Sequence, residues 1–278
     1  MNDIDTTTTT TPTAALPSGH EWEEAGDAWG RRAGDWACLY EHYAIDVIHA
    51  IFQRVGVENG ISMLDIACGS GLAIRIAEGM GARTAGIDAA GDLVQIARDR
   101  SPESSLVVGT MFDLPWEDGT FDAVTSINGV WGGCDAALAE AYRVLRPGGR
   151  IGISFWGHGE LDLRSVFRVF AHHAPESHVD GMRRTNNVAR PGVAEQMLEG
   201  AGFDVIERGG RVSTIEWPDA DTAWRAISSV GPAVPALEHV GARVLRPLIL
   251  DALANTRDQR GIYRFRNDHQ FVVARKPR

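Results

Sequence analysis

The central hundred residues of the chain alternate between short apolar runs and longer amphipathic stretches. Each apolar run has the length of a buried strand, and each amphipathic stretch repeats its apolar residues at helical spacing. This alternation is typical of strand–helix units around a mostly parallel sheet, so the predicted fold class is α/β. The predicted strands are 61–67, 84–88, 106–110, 121–127 and 150–156, and the helices between them are 72–78, 91–100 and 135–145.

The residues before this core divide into two parts. Residues 1–18 contain a run of threonines followed by prolines and small residues, with too little apolar surface to offset the entropy of ordering. Residues 19–58 carry several tryptophans and tyrosines, and their apolar residues from Leu39 to Ile51 recur at near-helical spacing. The sequence therefore predicts a disordered tail and then an N-terminal helical cap.

The residues after the core interrupt its pattern twice. Residues 158–190 hold four histidines and no clear strand, which predicts a lid insertion. A helix at 193–201 and a strand from Phe203 resume the core before a second insertion, about 219–258, with helices at 220–229 and 237–254. We expect both insertions to belong to one domain, residues 59–278.

The end of the chain is predicted to form a pair of strands. Residues 262–266 and 270–274 are each rich in strand-forming side chains. Asn267 and Asp268 stand between them and are typical turn residues. The sequence therefore predicts a tight turn at these two positions.

Charge and composition exclude several classes of function. The formal net charge of −10 over 278 residues and the pI near 5.4 disfavour a nucleic-acid partner. No apolar run approaches the roughly 20 residues that span a bilayer, which predicts no membrane partner. Cys38, Cys68 and Cys134 are far apart, which predicts reduced thiols, no zinc site and a cytoplasmic protein.

The strongest chemical signal lies where the first predicted strand ends. Residues 63–71 read Met-Leu-Asp-Ile-Ala-Cys-Gly-Ser-Gly, a buried strand that runs into a glycine turn. Glycines there allow the backbone to approach a ligand. Asp88 closes the second strand 17 residues after Gly71, where a carboxylate can accept both hydroxyls of a ribose. A plain tight turn and a helix cap are the alternatives for the two features.

These residues resemble the class I S-adenosylmethionine-dependent methyltransferases, in particular the small-molecule group related to ubiquinone and menaquinone methylases. Residues 64–71 resemble the family's first motif, and 85–88 resemble its acidic second motif. Residues 108–116 together with 119–122 are similar to its third-strand loop and fourth-strand entry, and 144–149 to the segment before its fifth strand. The resemblance implies a Rossmann-like methyltransferase fold with a mostly parallel sheet and an antiparallel last strand.

The resemblance also implies S-adenosyl-L-methionine as the cofactor and a role for each matching residue. Asp65 and the glycine turn would lie near the methionine part, Asp88 on the ribose, and residues 111–112 beside adenine. Residues 128–131 would face the sulfonium and the substrate. Where many relatives have an acidic residue, this chain has Gly109-Thr110, so backbone groups are expected to contact adenine. The predicted cofactor-binding residues are Asp65, Ala67, Gly69, Gly71, Asp88, Met111, Phe112, Asn128, Gly129 and Trp36.

Candidates for the substrate pocket and for catalysis are aromatic residues and histidines. Trp29, Tyr40 and Trp131 are the predicted pocket residues; packing within the core is the alternative. His172 and His173 are candidates for a general base; solvated surface is the alternative. The histidines of residues 158–190 lack supporting ligands at suitable spacing, which predicts no metal site.

The predicted function is methyl transfer to an oxygen, nitrogen or carbon atom of a small molecule, with secondary metabolism as one setting. In-line displacement would depend mainly on positioning and desolvation. The alternative is a methyltransferase-like fold that binds the cofactor but catalyses a non-methyl reaction or acts as a binding module. Ile74 occupies the third position of a dinucleotide fingerprint and disfavours a nicotinamide enzyme. A homodimer is an open alternative for assembly.

Overall fold

The sheet of the protein has seven strands in the order β3-β2-β1-β4-β5-β7-β6. A computed structural model describes residues 21–178 and 187–278. The first five strands pair in parallel, whereas β7 pairs antiparallel with both β5 and β6. This confirms the Rossmann-like fold with an antiparallel last strand. The strands are β1 (Ser62–Ile66), β2 (Arg83–Asp88), β3 (Ser105–Val108), β4 (Phe121–Ile127), β5 (Leu145–Leu161), β6 (Asp204–Trp217) and β7 (Tyr263–Arg275).

Helices cover both faces of the sheet, as buried parallel strands require. Two α-helices and two short irregular turns, the π-helix Trp36–Tyr40 and the 3₁₀ turn Glu41–Ala44, lead into the first long helix of the core. The α-helices are α1 (Glu21–Gly30), α2 (Ala33–Asp35), α3 (Ile45–Val55), α4 (Leu72–Gly79), α5 (Gly91–Arg100), α6 (Asp135–Val144), α7 (Arg164–His173), α8 (Val193–Gly200), α9 (Ala220–Ile227), α10 (Val234–Val240) and α11 (Ala242–Ala252).

Two large apolar clusters form the core. One joins the buried face of α3, with Val47 and Ile51 fully buried, to α7 and to the helices between β6 and β7. The other packs α6 and α8 against β1, β4 and β5. Segments from both ends of the sequence thus meet in the first cluster, and the cap and the helices 220–252 become neighbours.

The predicted turn at Asn267-Asp268 is wrong. Strand β7 continues through both residues and pairs with β6 along its whole length, including Asn267 with Ser213. Asn267 is fully buried, and its Oδ1 accepts a hydrogen bond from the Leu163 amide. A long partner strand stabilises extended backbone at two residues whose local preference is for a turn.

Two other predicted elements have different bounds. The sequence predicts one helix over 237–254, but Gly241, at φ +80°, ends α10 and α11 begins directly after it. The sequence predicts no clear strand in 158–190, but β5 extends to Leu161 and helix α7 follows. The predicted tail 1–18 and residues 179–186 of the predicted lid lie outside the described residues.

Candidate active site

The loop after β1 forms a left-handed turn at the carboxyl edge of the sheet. Ala67, Gly69 and Gly71 have φ values of +58°, +54° and +80°. A Cβ atom on Gly71 would lie 2.8 Å from the Cβ of Ala97, so only glycine allows α4 to pack against α5 there. The turn is therefore held by close packing and leaves its outer backbone groups at the edge where open α/β sheets bind ligands.

Two strained residues of the described chain lie in loops that contact each other in space. Among residues 21–178 and 187–278, only Ala67 and Asn128 combine a side chain with a positive φ, at +58° and +56°. A Cβ on Gly129 would lie 2.4 Å from the Cβ of Ala67, so the loops after β1 and β4 touch. Such strain is characteristic of functional sites, because the surrounding structure must enforce it.

Asp88 holds the turn in place through hydrogen bonds to two backbone amides. Its Oδ2 accepts a hydrogen bond from the Gly69 amide at 2.8 Å, and its Oδ1 accepts one from the Ala90 amide at 2.8 Å. Ala90 is the N-cap residue of α5, and no side chain caps that helix, so Asp88 orders the loop before the helix without capping it. Each carboxylate oxygen has a second lone pair for a hydroxyl donor. Burial raises the pKa of Asp88, and the backbone hydrogen bonds oppose that rise.

Asp65 is a buried carboxylate without a cation. It is 2% exposed, and its Oδ1 accepts a hydrogen bond of 2.6 Å from the Thr125 hydroxyl. Burial raises the pKa of Asp65 to about 7. Within the described part of the chain no lysine or arginine forms an ion pair with it. An ammonium group of a ligand would supply the missing charge, which fits the methionine part of S-adenosylmethionine.

A buried polar network extends from Asn128. The Asn128 Nδ2 donates to the Tyr43 hydroxyl at 2.8 Å, and the His269 Nε2 lies 3.1 Å from the Asn128 Oδ1. His269 is fully buried, and burial lowers its pKa to about 3, so the imidazole is neutral. The Ser213 hydroxyl lies 3.1 Å from its Nδ1. This network fixes the Asn128 side chain without placing a charge beside it.

The N-terminal aromatic residues form a continuous set of ring contacts above the turn. Trp36 contacts Trp29 edge to face at 4.9 Å and stacks on Tyr40 at 5.0 Å, and Tyr43 lies 4.7 Å from Trp156. The Trp36 indole nitrogen lies 3.8 Å from the position of a Cβ on Gly69. Trp36 and Tyr40 begin and end a π-helical segment, a feature frequent at functional sites. These residues, the aromatic cap, run from Trp29 to Tyr43.

The structure brings some of the other predicted residues together and separates others. Met111 and Phe112 follow β3 and pack, like Trp131, against the cluster that contains α6. Trp29 and Tyr40 belong to the cluster on the other face, so Trp131 does not share their wall. His172 is exposed, and the His173 Nδ1 lies 2.9 Å from the Val169 carbonyl within α7. The catalytic role of the two histidines stays a prediction.

Sequence reasoning missed the residues that hold this site together. Tyr43, Trp156 and His269 were not among the predicted site residues, although each contacts the others or Asn128. The available signal was the period-two pattern of buried positions from Tyr263 to Phe271, which places His269 on the buried face of an unbroken strand. Interpreting Asn267-Asp268 as a turn broke that pattern.

The structure gives no sign of thiol chemistry at Cys68, and its described residues form neither a metal site nor a membrane-spanning helix. Burial raises the pKa of the Cys68 thiol, so this side chain packs as an apolar group beside the turn. No group of metal-ligating side chains occurs in the part of the chain that the structure describes. Within that same part, no helix has the length and apolar character needed to cross a membrane.

A cavity of about 300 Å³ lies beside the aromatic cap. Ala28 at the end of α1, with Arg31 and Arg32 directly after that helix, lines one side. Ser228, Ser229 and Leu237, from the helices between β6 and β7, line the other. Trp29 separates this cavity from the turn, because it contacts Trp36 and packs against Gly231. The N-terminal helices and the second insertion thus form the two sides of an open groove.

Comparison with known proteins shows that the chain is similar to methyltransferases. Residues 64–153 match the family model described as a methyltransferase domain. The chain is 36% identical over 127 residues to the ubiquinone/menaquinone biosynthesis C-methyltransferase UbiE of Brucella anthropi, covering 41% of this chain and 48% of that protein. It spans about half to three fifths of the length of the curated relatives it matches first.

Two solved structures share the fold across most of the chain. One is phosphoethanolamine N-methyltransferase 2 of Haemonchus contortus in complex with S-adenosyl-L-methionine, with a TM-score of 0.56, 17% identity, and coverage of 96% of this chain and 62% of that chain. The other is the [4+2]-cyclase SpnF, with a TM-score of 0.56, 17% identity, and coverage of 93% and 94%.

The left-handed turn and its two aspartates lie within the segment that matches the methyltransferase-domain model. The chain is therefore similar to the class I S-adenosylmethionine-dependent methyltransferases, in particular to the small-molecule members such as the ubiquinone/menaquinone methyltransferases.

Proposed function

We propose that this protein transfers the methyl group of S-adenosylmethionine to an oxygen, nitrogen or carbon atom of a small molecule. The observation that carries the proposal is the pair of touching, strained loops at Ala67 and Asn128, flanked by the buried carboxylate of Asp65 and the half-buried carboxylate of Asp88. When bound, the cofactor supplies a methyl group activated by a sulfonium. The residues around the loops have the chemistry to hold its other parts.

Each group of site residues has a separate task in this proposal. The Asp65 carboxylate pairs with the methionine ammonium, and Asp88 accepts the ribose hydroxyls while it holds Gly69. Backbone groups near Met111 and Phe112 contact adenine. Asn128 and Gly129 face the reacting centre, and the neutral network behind Asn128 keeps it in place.

The catalytic contribution of the chain is alignment and exclusion of water. Trp36, Tyr43 and Trp156 are half-buried or buried rings that shield the carboxyl edge of the sheet. A low-polarity enclosure strengthens the interactions that orient the acceptor atom, and in-line displacement needs little more. We propose that Trp29, Tyr40 and Trp131 bound the substrate and that His172 or His173 removes a proton where the acceptor requires it.

Replacing Asp88 tests the cofactor site directly. The Asp88→Ala variant is expected to bind S-adenosylhomocysteine about 10- to 100-fold more weakly by calorimetry, because charge-assisted hydrogen bonds contribute roughly 1.5 to 3 kcal/mol. Asp99→Ala is the matched control, since Asp99 lies on the exposed side of α5 and, within the described residues, its carboxylate accepts a hydrogen bond from Gln95 alone. A wild-type protein that releases no heat with S-adenosylmethionine or S-adenosylhomocysteine would refute the proposal.

The role of the aromatic rings that shield the site is tested by a substitution at Trp156, which lies outside the glycine turn. Trp156→Ala is expected to lower kcat/KM at least tenfold in a panel of small-molecule acceptors, because part of the enclosure is lost, and to change S-adenosylhomocysteine affinity less than twofold. Tyr142→Ala is the control, because Tyr142 packs on Phe203 and Lys276 near the opposite edge of the sheet. Equal losses in both variants would place the substrate elsewhere.

The second candidate function is a non-methyl reaction on the same fold. The similarity to the [4+2]-cyclase SpnF favours it, since that protein carries this fold with another named activity. Formation of S-adenosylhomocysteine from S-adenosylmethionine with any acceptor separates the two. Binding without such turnover, together with conversion of the acceptor, would support the second candidate. The cytoplasmic location, the homodimer and the absence of nucleic-acid and membrane partners stay predictions.

A further inference from the structure

Arg100, the last residue of α5, connects three segments of the site. Its guanidinium donates to the Glu41 carboxylate at 2.6 Å, to the Ala37 carbonyl at 3.1 Å and to the Ser70 carbonyl at 3.1 Å. The Ser70 hydroxyl also donates to Glu41. One cation and one carboxylate therefore bind the aromatic cap, the glycine turn and α5 to one another.

The residues that Arg100 contacts lie in the glycine turn and in the aromatic cap. Ser70 lies between Gly69 and Gly71 in the left-handed turn, and the Gly69 amide is the donor to Asp88. Ala37 lies in the π-helix directly after Trp36, the ring that approaches Gly69. A shift of the guanidinium would therefore displace the cap ring and the turn together.

The cluster is buried enough for its partners to depend on one another. The side chain of Glu41 is 9% exposed and that of Arg100 is 22% exposed. A buried ion pair adds little net stability to the fold. Removing one partner, however, leaves the other as an unpaired buried charge, which is strongly destabilising. By contrast, the pair Arg54–Glu207 joins α3 to β6, and its side chains are 28% and 42% exposed.

We infer that Arg100 and Glu41 are positioning residues that couple the docking of the aromatic cap to the conformation of the cofactor turn. The inference rests on the proposed function, because the ligand that fixes the turn is the proposed cofactor. Coupling is reciprocal: a ligand that orders the turn stabilises the docked cap, and a docked cap raises affinity for the ligand. Arg100 thus acts on the reaction through Trp36 and Ser70 and not by touching the reacting atoms.

The test measures ligand affinity and cap protection in the full chain, with S-adenosylhomocysteine as the probe. Arg100→Met is expected to weaken binding about 10- to 100-fold, within the usual range of coupling between sites. Arg100→Lys should recover only part of this, because a lysine cannot serve three acceptors in a planar arrangement. In wild type, the probe should slow amide exchange in residues 33–44 and 66–72, whereas in Arg100→Met it should slow exchange only in 66–72.

Controls separate coupling from a general loss of stability. Arg54→Met removes an ion pair of another part of the core and should leave affinity and cap protection within twofold of wild type. Glu41→Gln keeps the shape and the acceptor, and it provides the same comparison if Arg100→Met does not fold. Probe-dependent protection of residues 33–44 in the Arg100→Met or Glu41→Gln variant, or affinity within twofold of wild type, would overturn the inference alone. Absence of binding by wild type would overturn the proposed function and the inference with it.

Discussion

Asp65→Asn is expected to make the ligand-free protein more stable at pH 8 and a weaker binder of S-adenosylhomocysteine. Burial raises the pKa of Asp65 to about 7, so keeping this carboxylate ionised in the folded state costs roughly 2 to 4 kcal/mol at pH 8. Asparagine keeps an acceptor for the Thr125 hydroxyl and removes the charge. Chemical denaturation and calorimetry on the same samples measure the two effects.

The pH dependence gives this prediction its sign. The pKa of Asp65 is higher in the folded than in the unfolded protein, so the folded state binds the extra proton between pH of about 4 and 7. The unfolding free energy of wild type should therefore fall as pH rises through that window, and its decline should be smaller in Asp65→Asn. Burial raises the pKa of Asp88 in the same direction, so part of the decline should remain in the variant.

Asp122→Asn is the control with the opposite sign. Burial alone would raise the pKa of Asp122, but hydrogen bonds from Ser62 and Arg146 outweigh it and hold the pKa below its usual range. Its charge therefore stabilises the fold above that pKa, and the substitution should lower stability at pH 8. A destabilised Asp65→Asn variant would show that Asp65 has a cationic partner in the free protein, and unchanged ligand affinity would remove Asp65 from the cofactor site.

The buried carboxylate of Asp65 lowers the stability of the free protein, and ligand binding gives a reason for its presence. An unpaired buried charge is destabilising until a ligand supplies its partner, so stability is lost at a position where binding is gained. Ligand binding above pH 7 meets Asp65 already ionised, whereas below it the carboxyl group must first release a proton. Affinity for a ligand with a free ammonium should consequently rise between pH 6 and pH 8.

The parts of the fold that were predictable from sequence depend on local signals. The run from Met63 to Gly71 combines an apolar strand with glycines that allow left-handed backbone, and both features appear in the structure at those positions. Asp88 follows a second apolar run in the same way. These signals lie within a few residues of one another, so they can be recognised in the sequence without knowledge of the tertiary contacts.

The parts that were missed depend on partners far away in sequence. His269 becomes a site residue because β7 pairs with β5 and β6, which brings it to Asn128, a residue 141 positions away. Residues 36–40 form a π-helix in which Trp36 approaches Gly69 and Tyr40 contacts Trp217, and both partners are distant in sequence. Arg100 and Glu41 are unremarkable charges in sequence, and only the packing of the cap on α5 pairs them.

Gly129→Ala is expected to damage both the fold and the site. The added methyl group would lie 2.4 Å from the Cβ of Ala67, 2.6 Å from the Ser126 hydroxyl and 3.2 Å from the Ile66 carbonyl. Two of these contacts are with the backbone or a Cβ, which cannot rotate away, so the loops after β1 and β4 must separate. Overpacking of this kind costs about 3 kcal/mol, which corresponds to a fall in Tm of roughly 5 °C for a chain of this size.

The matched control is Gly79→Ala at the end of α4, where an added Cβ meets no atom within 4 Å. There the same methyl group should be neutral or stabilise the helix by up to about 1 kcal/mol, because alanine loses less backbone entropy than glycine. Separation of the loops should also move Ala67 and Asn128 out of their strained conformations, so Gly129→Ala should lose affinity for S-adenosylhomocysteine while Gly79→Ala keeps it. If both variants melt with wild type and bind alike, the contact between the two loops does not enforce the strain at Ala67, and the geometry of the cofactor turn has another origin.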